Sequence, residues 1–323
     1  MLNRFITDAA AMAGYRADRS EGHLNDPNGS QPKFCSKIKK ARTHLEALEI
    51  ALRAHPGDED TPPNAFETSS RGYGSIWMYL GLRPYMRARR SLIDALFLVH
   101  TPSAVLAAYT HSVEMLTLNN ADNQGMGNMI PAILLRRGKD QQCYNTLRWV
   151  HLGRDPALEL TNENGLEHEP MPDFILGHVP IAHLVALMLL KVRLLIDMRG
   201  LHARFEATSS FEPQHYTNTI TPRIRHLFKH RGGEMSQLLW EQIVAFYVFV
   251  HGRNKYLWFA LLCPEYDDLR VRPNKGVGVG KREMRIVLQQ TYNAWAETPG
   301  AFDVLRELEG DGDVREQIER YSV

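Results

Sequence analysis

Apolar residues recur at helical spacing along most of this chain, and breaks rich in Gly, Pro, Asn and Asp separate the periodic segments. The spacing i, i+3, i+4, i+7 places apolar side chains on one face of an α-helix. Residues 103–118 show this spacing, with Val105, Tyr109, Val113 and Leu116 on one stripe. The pattern predicts helices over residues 37–54, 85–99, 103–118, 123–137, 140–150, 180–200, 222–230, 234–250, 281–298 and 301–320.

The sharpest predicted boundaries lie between residues 122 and 149. Asp122 follows the apolar run of one helix, and a short polar side chain of this kind caps the next helix. Gly138 suits the position after that second helix, and Asp140 suits the start of a third. Pro131 falls inside the second helix, so we expect a kink there. The expected inner faces consist of Met126, Met129, Ile130, Ile133 and Leu134, and then of Cys143, Tyr144, Leu147 and Val150.

Two helices joined by a short capped turn and followed by a third are typical of α-solenoids. This part of the chain reads LxLNxxDNxGxxxxxPxxLLRxGxDxxCYxxLxW, which resembles a tetratricopeptide-type helical repeat. More narrowly, it is similar to a set of uncharacterised fungal proteins, some of which carry a MYND zinc finger. The resemblance covers residues 83–149 best and residues 183–201 less well, and it implies a helical interaction scaffold without catalytic residues. A MYND finger needs close pairs of Cys and His, and the three Cys of this chain form no C-x-x-C pair, so that zinc site is not carried over.

Polar breaks divide the chain into four predicted regions. Residues 1–35 are expected to be a flexible N-terminal segment, and residues 36–150 to form tetratricopeptide-like helical hairpins. Residues 151–177, which are acidic and contain three prolines, form a predicted connector. Residues 178–323 are expected to be a helical region packed on the first. The predicted fold class is all-α, either a tetratricopeptide-like α-solenoid or a helical bundle.

The most apolar segment covers residues 180–200, which is long enough to span a bilayer. His183, Lys191, Arg193 and Asp197 interrupt it, and they fall on one half of the helical wheel. Charged side chains are costly in the centre of a bilayer. We therefore predict a buried central helix with one solvent-facing polar stripe, and no insertion into a membrane.

Composition limits the classes of protein that the chain can belong to. Its 323 residues suffice for one large or two modest domains with a sizeable core. The net charge of +1 gives no global field that would attract nucleic acid or a membrane surface. The three Cys are odd in number and far apart, which argues for a reducing compartment. With no secretory signal visible near the N-terminus, the expected location is cytoplasmic or nuclear.

A glycine-rich segment, Gly276-x-Gly278-x-Gly280-Lys281, invites comparison with a phosphate-binding loop. Such a loop requires a second glycine five positions before the Gly-Lys pair, a Ser or Thr after it, and a preceding strand. Lys275 and Arg282 occupy those two positions, so we predict a hinge before the helix that follows. Binding of an anion by the surrounding cations stays open; they are Arg270, Arg272, Lys275, Lys281, Arg282 and Arg285.

Two groups of residues could ligate a metal ion. His226 and His230 are four apart, which puts both imidazoles on one helical face, although a cation near a helix C-terminus explains His230 more plainly. The second group lies within residues 163–183 and could form a mixed site if the fold gathers it. Its members are Glu167, His168, Glu169, His178 and His183.

The sequence contains no specific motif for a catalytic nucleophile and none for a nucleic-acid binding site. No G-x-S-x-G motif is present, and Cys143 occupies an inner helical position, where a core thiol is expected. A basic stripe could line a groove, yet solvated helix faces often have this composition. Its residues are Arg87, Arg89, Arg90, Arg136, Arg137 and Lys139.

These observations predict a scaffold or adaptor that binds a protein partner through the exposed faces of helices 84–99, 103–118 and 139–150. They assign no catalytic residue, cofactor or metal ligand. The alternative is an enzyme or metal-binding protein that uses the acidic and histidine cluster of residues 163–183. Binding of nucleic acid is disfavoured by the balanced charge.

Overall fold

The computed structural model describes residues 31–152, 179–208, 216–217, 221–270 and 278–321. This part of the chain contains twelve α-helices and two 3₁₀ turns, and within it no β-strand occurs beyond one isolated bridge between Ser75 and Asn119. The predicted all-α class is therefore confirmed. The narrower expectation of a tetratricopeptide-like solenoid stays a prediction.

Backbone contacts divide the chain into two units, Met1–Ile133 and Leu134–Val323. The predicted connector 151–177 lies almost entirely outside the described residues, so the four-region division stays a prediction. The 3₁₀ turns cover Ile76–Met78 and Leu80–Leu82. The helices are α1 Gln31–Arg53, α2 Arg83–Phe97, α3 Pro102–Leu118, α4 Ile130–Arg136, α5 Asp140–Leu152, α6 Ile181–Thr208, α7 Thr221–Arg253, α8 Leu257–Leu262, α9 Tyr266–Arg270, α10 Val279–Ala296, α11 Ala301–Gly310 and α12 Gly312–Tyr321.

In the first unit, each long helix packs on the next along the chain, α1 on α2 and α2 on α3. Helix α2 supplies more of the core than either neighbour, because both pack on it; Leu92 and Ile93 are fully buried. On the apolar face of α1, Leu45 and Leu52 are buried, whereas Ile38, Ala41 and Leu48 are half-buried. Thr101 caps α3 through a hydrogen bond from Ala104 N to its hydroxyl oxygen.

The helix predicted to start after Asp122 is wrong over residues 123–129. Asp122 has φ +46° and Gly125 φ +70°, and neither value is compatible with a right-handed helix. The chain instead forms a turn in which the Asp122 carboxylate accepts hydrogen bonds from Met126 N at 2.6 Å and Gly127 N at 2.8 Å. Helix α4 begins only at Ile130, so Pro131 lies in its first turn, where the missing N–H costs nothing and no kink is needed.

Replacement of Asp122 tests how much this turn contributes to stability. We expect Asp122→Ala to lower the free energy of unfolding by roughly 2–3 kcal/mol, because two charge-assisted hydrogen bonds disappear and alanine tolerates positive φ poorly. Asp122→Asn keeps an acceptor and a residue type suited to positive φ, so its loss is expected to be about half as large. Urea denaturation followed by circular dichroism measures both. Equal, negligible losses for the two variants would show that the carboxylate does not hold the turn.

The second unit is built around α6, which packs against α5, α7, α10 and α11. Nearly every side chain from Ile181 to Met198 is buried, including those of His183, Lys191, Arg193 and Asp197. The predicted solvent-facing stripe is therefore wrong, because helices cover all sides of this segment. The predicted burial of the helix is correct.

Two predicted helix boundaries in the second unit are also wrong. The helix predicted over residues 222–230 does not stop before Gly232 and Gly233. It continues through both glycines as part of α7. The single helix expected over residues 301–320 is divided at Asp311, whose carboxylate accepts a hydrogen bond from Asp313 N and starts α12.

The end of α4 and the start of α5 match the prediction. Gly138 has φ +63°, and Lys139 N donates to Leu134 O while Gly138 N donates to Leu135 O, which is the Schellman arrangement. Helix α5 then begins at Asp140, with Cys143 and Leu147 fully buried.

Large aromatic side chains join three helices of the second unit. Trp258 on α8 stacks on Tyr247 of α7 with ring centroids 5.1 Å apart, and its indole N–H donates to Tyr247 O at 2.9 Å. Its other neighbour is Trp295 on α10, which it meets edge to face at 6.2 Å. These contacts fix α8 between α7 and α10.

Within the described ranges, no helix combines the length and the apolar character needed to cross a bilayer.

Candidate interaction surface

The residues proposed as metal ligands form no metal site within the part that the structure describes. His183 is buried in α6. Residues 163–178 lie outside the described residues, as do the side chains of His226 and His230 on α7. Both metal hypotheses therefore stay predictions for those positions.

The glycine-rich segment is described only from residue 278 onward. Gly278 precedes α10, and Lys281 lies in the first turn of that helix. Of the surrounding cations, Arg285 forms a salt bridge with Asp268, in which Nε lies 2.6 Å from the carboxylate oxygen. A phosphate-binding loop follows a strand. In the described part of this chain, the last element before residues 271–277 is the short helix α9.

Arg193 is the centre of the buried polar contacts of the second unit. Its Nη1 donates to Asp140 Oδ1 at 2.8 Å and to Leu135 O at 3.0 Å, and its Nε and Nη2 both donate to Thr298 Oγ1. The Asp140 side chain is fully buried and that of Arg193 nearly so. These contacts link α5 and α6 to the turn that follows α10, and burial closes the ion pair to any substrate.

The other buried charges of α6 have comparable partners. Lys191 Nζ donates to Gln242 Oε1 at 2.6 Å. Asp197 accepts from the backbone N–H and the hydroxyl of Thr217, both at 2.6 Å, and from the Thr221 hydroxyl at 2.9 Å. Buried polar groups satisfied in this way hold elements together, so we assign them a structural role.

A second polar cluster lies in the first unit, around the buried Arg89 of α2. Its guanidinium donates to Glu114 and to the Tyr85 hydroxyl, and it lies 3.8 Å from Glu49. Burial raises the pKa of Tyr85, and the nearby Arg89 cation opposes that rise. The phenol therefore stays protonated at neutral pH, and the cluster joins α1, α2 and α3 through charge-assisted contacts.

His111 of α3 borders the Arg89 cluster and gives it a pH dependence. Burial, with further contributions from the cations of Arg89 and Arg42, lowers the pKa of His111 from 6.5 to about 4. Its Nδ1 lies 3.8 Å from Glu114, beyond hydrogen-bonding distance, and the side chain is 27% exposed. Between pH 6.5 and 4 the unfolded chain therefore binds a proton that the folded chain does not, and stability falls as the pH drops through this window.

We expect this group to cost the wild type roughly 1–2 kcal/mol of unfolding free energy between pH 7 and pH 5, allowing for its partial exposure. His111→Gln removes the titration, so the variant should lose correspondingly less over the same interval. Urea denaturation of both chains at the two pH values gives the comparison, because contributions from all other groups cancel. An identical acid-induced loss in the two chains would contradict the assignment.

The predicted basic stripe is largely occupied by internal contacts. Arg89 is buried as described above, and Arg90 Nε donates to Asp94 at 2.7 Å while its Nη1 donates to Gln124 O. Arg136 forms a bidentate pair with Glu297 at 2.7 and 2.8 Å. Of the three cations predicted on α2, Arg87 alone is exposed.

Cys143 is fully buried, and burial raises the pKa of its thiol well above the usual value. A protonated, inaccessible thiol is a poor nucleophile, which agrees with the predicted core position.

The segment before α2 combines a fixed backbone with exposed apolar side chains. Ile76 and Leu82 are fully buried and anchor its two ends. Between them, Met78 is 75% exposed and Leu80 is 56% exposed. Both belong to 3₁₀ turns, and Gly81 N donates to Asp60 O at 3.0 Å. Apolar side chains held outward on an ordered backbone are typical of a surface that contacts another molecule.

Two arginines of α2 enclose the indole of Trp77 in the same segment. The guanidinium carbons of Arg83 and Arg87 lie 5.4 and 5.7 Å from the ring centroid, which is cation–π distance. Arg83 Nε also donates to Trp77 O at 2.9 Å. We call Trp77, Met78, Leu80, Arg83 and Arg87 the Trp77 patch.

From the sequence alone, residues 74–82 are a short aromatic segment that fits either a docked turn or the start of the repeat. The sequence does indicate that some of these side chains are exposed, because the apolar residues at positions 76–82 cannot all lie on one face of a helix. It does not reveal which of them are anchors, because this depends on contacts with α2 and with residue 60.

A second group of exposed apolar residues lies in the second unit. Phe259 is 68% exposed, and Tyr256 carries the ammonium groups of Lys255 and Lys281 at 5.6 Å from its ring. In the sequence, Tyr256 and Lys281 stand on either side of residues 271–277, which the structure does not describe. The Trp77 patch is therefore the more completely defined of the two surfaces.

No protein family, curated protein or solved structure matches this chain. The resemblance to tetratricopeptide-type repeats and to fungal proteins consequently stays a prediction that depends on the sequence motif alone.

Proposed function

We propose that this protein is a helical scaffold or adaptor that binds another protein and carries out no chemistry of its own. A cytoplasmic or nuclear location is part of the proposal. The observation that carries it is the contrast between the two kinds of side chain described above. Buried ionisable groups form contacts within the protein, whereas apolar groups project outward from the ordered segment around Trp77.

The contrast supports binding over catalysis because catalytic groups must reach a substrate. Arg193, Asp140 and Asp197 are buried and hydrogen-bonded, so they stabilise helix packing instead of contacting solvent. Met78 and Leu80 have the opposite property, since their exposure costs free energy that a partner would recover on covering them. Methionine is among the residue types that are enriched at protein interfaces.

The alternative, an enzyme or metal-binding protein using residues 163–183, predicts a bound cofactor or metal. Of that group, the structure describes His183, and it places this imidazole in the core of the second unit. Stoichiometric metal in the purified full chain would favour the alternative over the scaffold.

Affinity capture with the full chain tests the proposal. The tagged protein is incubated with native lysate in low and moderate salt, and co-purifying proteins are quantified by mass spectrometry beside a metal analysis of the same preparation. A Trp258→Asp chain, which disrupts the core, serves as the control bait and identifies proteins that bind unfolded chains. The proposal expects one or a few proteins captured by the folded chain alone, without stoichiometric metal. Failure to capture any such protein, together with a bound metal or small molecule, would overturn it.

A further inference from the structure

We infer that the Trp77 patch binds an acidic segment of a partner protein, in which an apolar side chain contacts Met78 and Leu80 and neighbouring carboxylates pair with Arg83 and Arg87. The inference rests on the proposed binding function and adds the chemistry of the partner and the place where it binds.

Met78 and Leu80 form the apolar part of the Trp77 patch. Both side chains are more than half exposed, although the flanking Ile76 and Leu82 are completely buried. The backbone between these anchors is held by hydrogen bonds from Met78 N to Ser75 O at 2.9 Å and from Leu82 N to Tyr79 O at 3.2 Å. The two side chains therefore project from a fixed base, and methionine in particular adapts its shape to an apolar partner group.

Arg83 and Arg87, the two arginines at the indole, form the charged part of the patch. Arg83 and Arg87 take part in none of the ion pairs found among the described residues, in contrast to Arg53, Arg89 and Arg90 of the same unit. Their contact with the Trp77 ring limits their motion without using their outer N–H groups. A guanidinium held in this way can donate two parallel hydrogen bonds to a carboxylate, at a lower cost in side-chain entropy than a free arginine.

The surroundings give the partner an orientation. On the side of Leu80, the Asp58–Asp60 loop adjoins Gly81, and Glu59 and Asp60 are exposed. Carboxylates of a partner are repelled there and attracted at Arg83 and Arg87. The acidic residues of the bound segment are therefore expected on the Trp77 side, with its apolar residue over Met78 and Leu80.

A third cation lies beside the apolar part of the patch. The guanidinium of Arg71 lies 6.0 Å from the centroid of Tyr79, the aromatic residue between Met78 and Leu80. Arg71 is exposed and, like the two arginines at Trp77, it is absent from the ion pairs of the described residues. Three unneutralised arginines beside two exposed apolar side chains favour an acidic partner over a basic or purely apolar one.

The experiment is a selection from a random linear-peptide phage library against the immobilised full chain. Enriched peptides are sequenced, resynthesised with a fluorescent label and titrated by fluorescence anisotropy. We expect the enriched sequences to combine an aliphatic or aromatic residue with nearby Asp or Glu. Met78→Asp should weaken binding by about 30-fold and Arg87→Glu by about tenfold, and added salt should weaken the wild type.

Ile50→Asp is the matched control for Met78→Asp, because Ile50 is a similarly exposed apolar residue, at 69%, on α1 of the same unit. Lys39→Glu, on the same helix, is the control for Arg87→Glu. Both controls should bind the peptides within about twofold of the wild type. Far-UV circular dichroism of all four variants separates lost binding from lost structure.

Three results would overturn the inference: no enrichment, enriched peptides without an acidic bias, or affinities unchanged by Met78→Asp. Sedimentation with anionic phospholipid vesicles can give a fourth such result. If the wild type binds the vesicles and Met78→Asp does not, the patch binds a lipid surface. Capture of a partner that binds Met78→Asp as well as the wild type would refute this patch and leave the scaffold proposal intact.

Discussion

Arg193→Met is expected to lower the free energy of unfolding by about 3–5 kcal/mol, one of the two largest effects that the structure predicts. The substitution removes the cation located 2.8 Å from a completely buried carboxylate, that of Asp140. It also removes the donors to Thr298 Oγ1 and Leu135 O. Methionine fills much of the space, so the loss reports mainly the uncompensated charge and the lost hydrogen bonds. Urea denaturation followed by far-UV circular dichroism measures it.

Two further variants keep the test informative if Arg193→Met fails to fold. Arg193→Lys retains the charge and loses the planar donor geometry, so an intermediate loss is expected. Arg193→Met/Asp140→Asn removes both charges and should recover part of the stability that the single variant loses. Arg306→Met is the control, because Arg306 pairs with Asp303 on the surface and such pairs contribute less than about 1 kcal/mol. Similar losses for Arg193→Met and Arg306→Met would refute the role given to the buried pair.

Trp258→Ala is the second large effect, with an expected loss of about 3–5 kcal/mol. The indole is fully buried between Tyr247 and Trp295, so its removal leaves a cavity where three helices meet. The variant also loses the hydrogen bond to Tyr247 O. Trp258→Phe preserves the ring contacts and loses that bond, so a loss of about 1–2 kcal/mol is expected for it.

The neighbouring residue provides the control for Trp258→Ala. Phe259 lies on the same short helix and is mostly exposed, so Phe259→Ala should change stability by less than about 0.5 kcal/mol. Chemical denaturation must be followed by circular dichroism, because the substitution at Trp258 removes a fluorophore. Comparable losses at the two positions would mean that α8 does not pack as described.

The all-α class and most helices could be predicted because they depend on local periodicity. Helices α2 and α3 begin within two residues of the predicted positions, since Pro84 and Pro102 mark both starts. The end of α4 was predictable for the same reason, as Gly138 adopts the positive φ that the Schellman arrangement requires. Local chemistry specifies these features, and tertiary contacts do not change them.

The errors occur where tertiary contacts outweigh local preference. Asp122 has the side chain of a helix cap, but the glycines at 125 and 127 allow a turn in which its carboxylate binds two backbone N–H groups. Gly232 and Gly233 are poor helix formers, yet helix α7 passes through them because packing of its later turns stabilises the whole element.

The polar residues of α6 show a different limit of sequence reasoning. Charged side chains such as Lys191 and Arg193 normally indicate solvent exposure. Their burial becomes favourable only because Gln242, Asp140 and Thr298 approach from other parts of the chain. Partners that are 50 or more residues away leave no trace in a periodicity pattern. The Trp77 patch was missed for the converse reason, since the sequence does not show that Met78 and Leu80 remain uncovered.

The isolated bridge between Ser75 and Asn119 has a kinetic consequence for binding at the Trp77 patch. Together with the hydrogen bond from Asn120 N to Gly74 O at 2.9 Å, it ties the start of the exposed segment to the chain beyond α3. The conformational entropy of this segment is therefore lost when the unit folds, before any partner arrives. Association then requires no loop closure, so its rate is set by diffusion, orientation and electrostatic attraction, and changes in the patch alter mainly the lifetime of the complex.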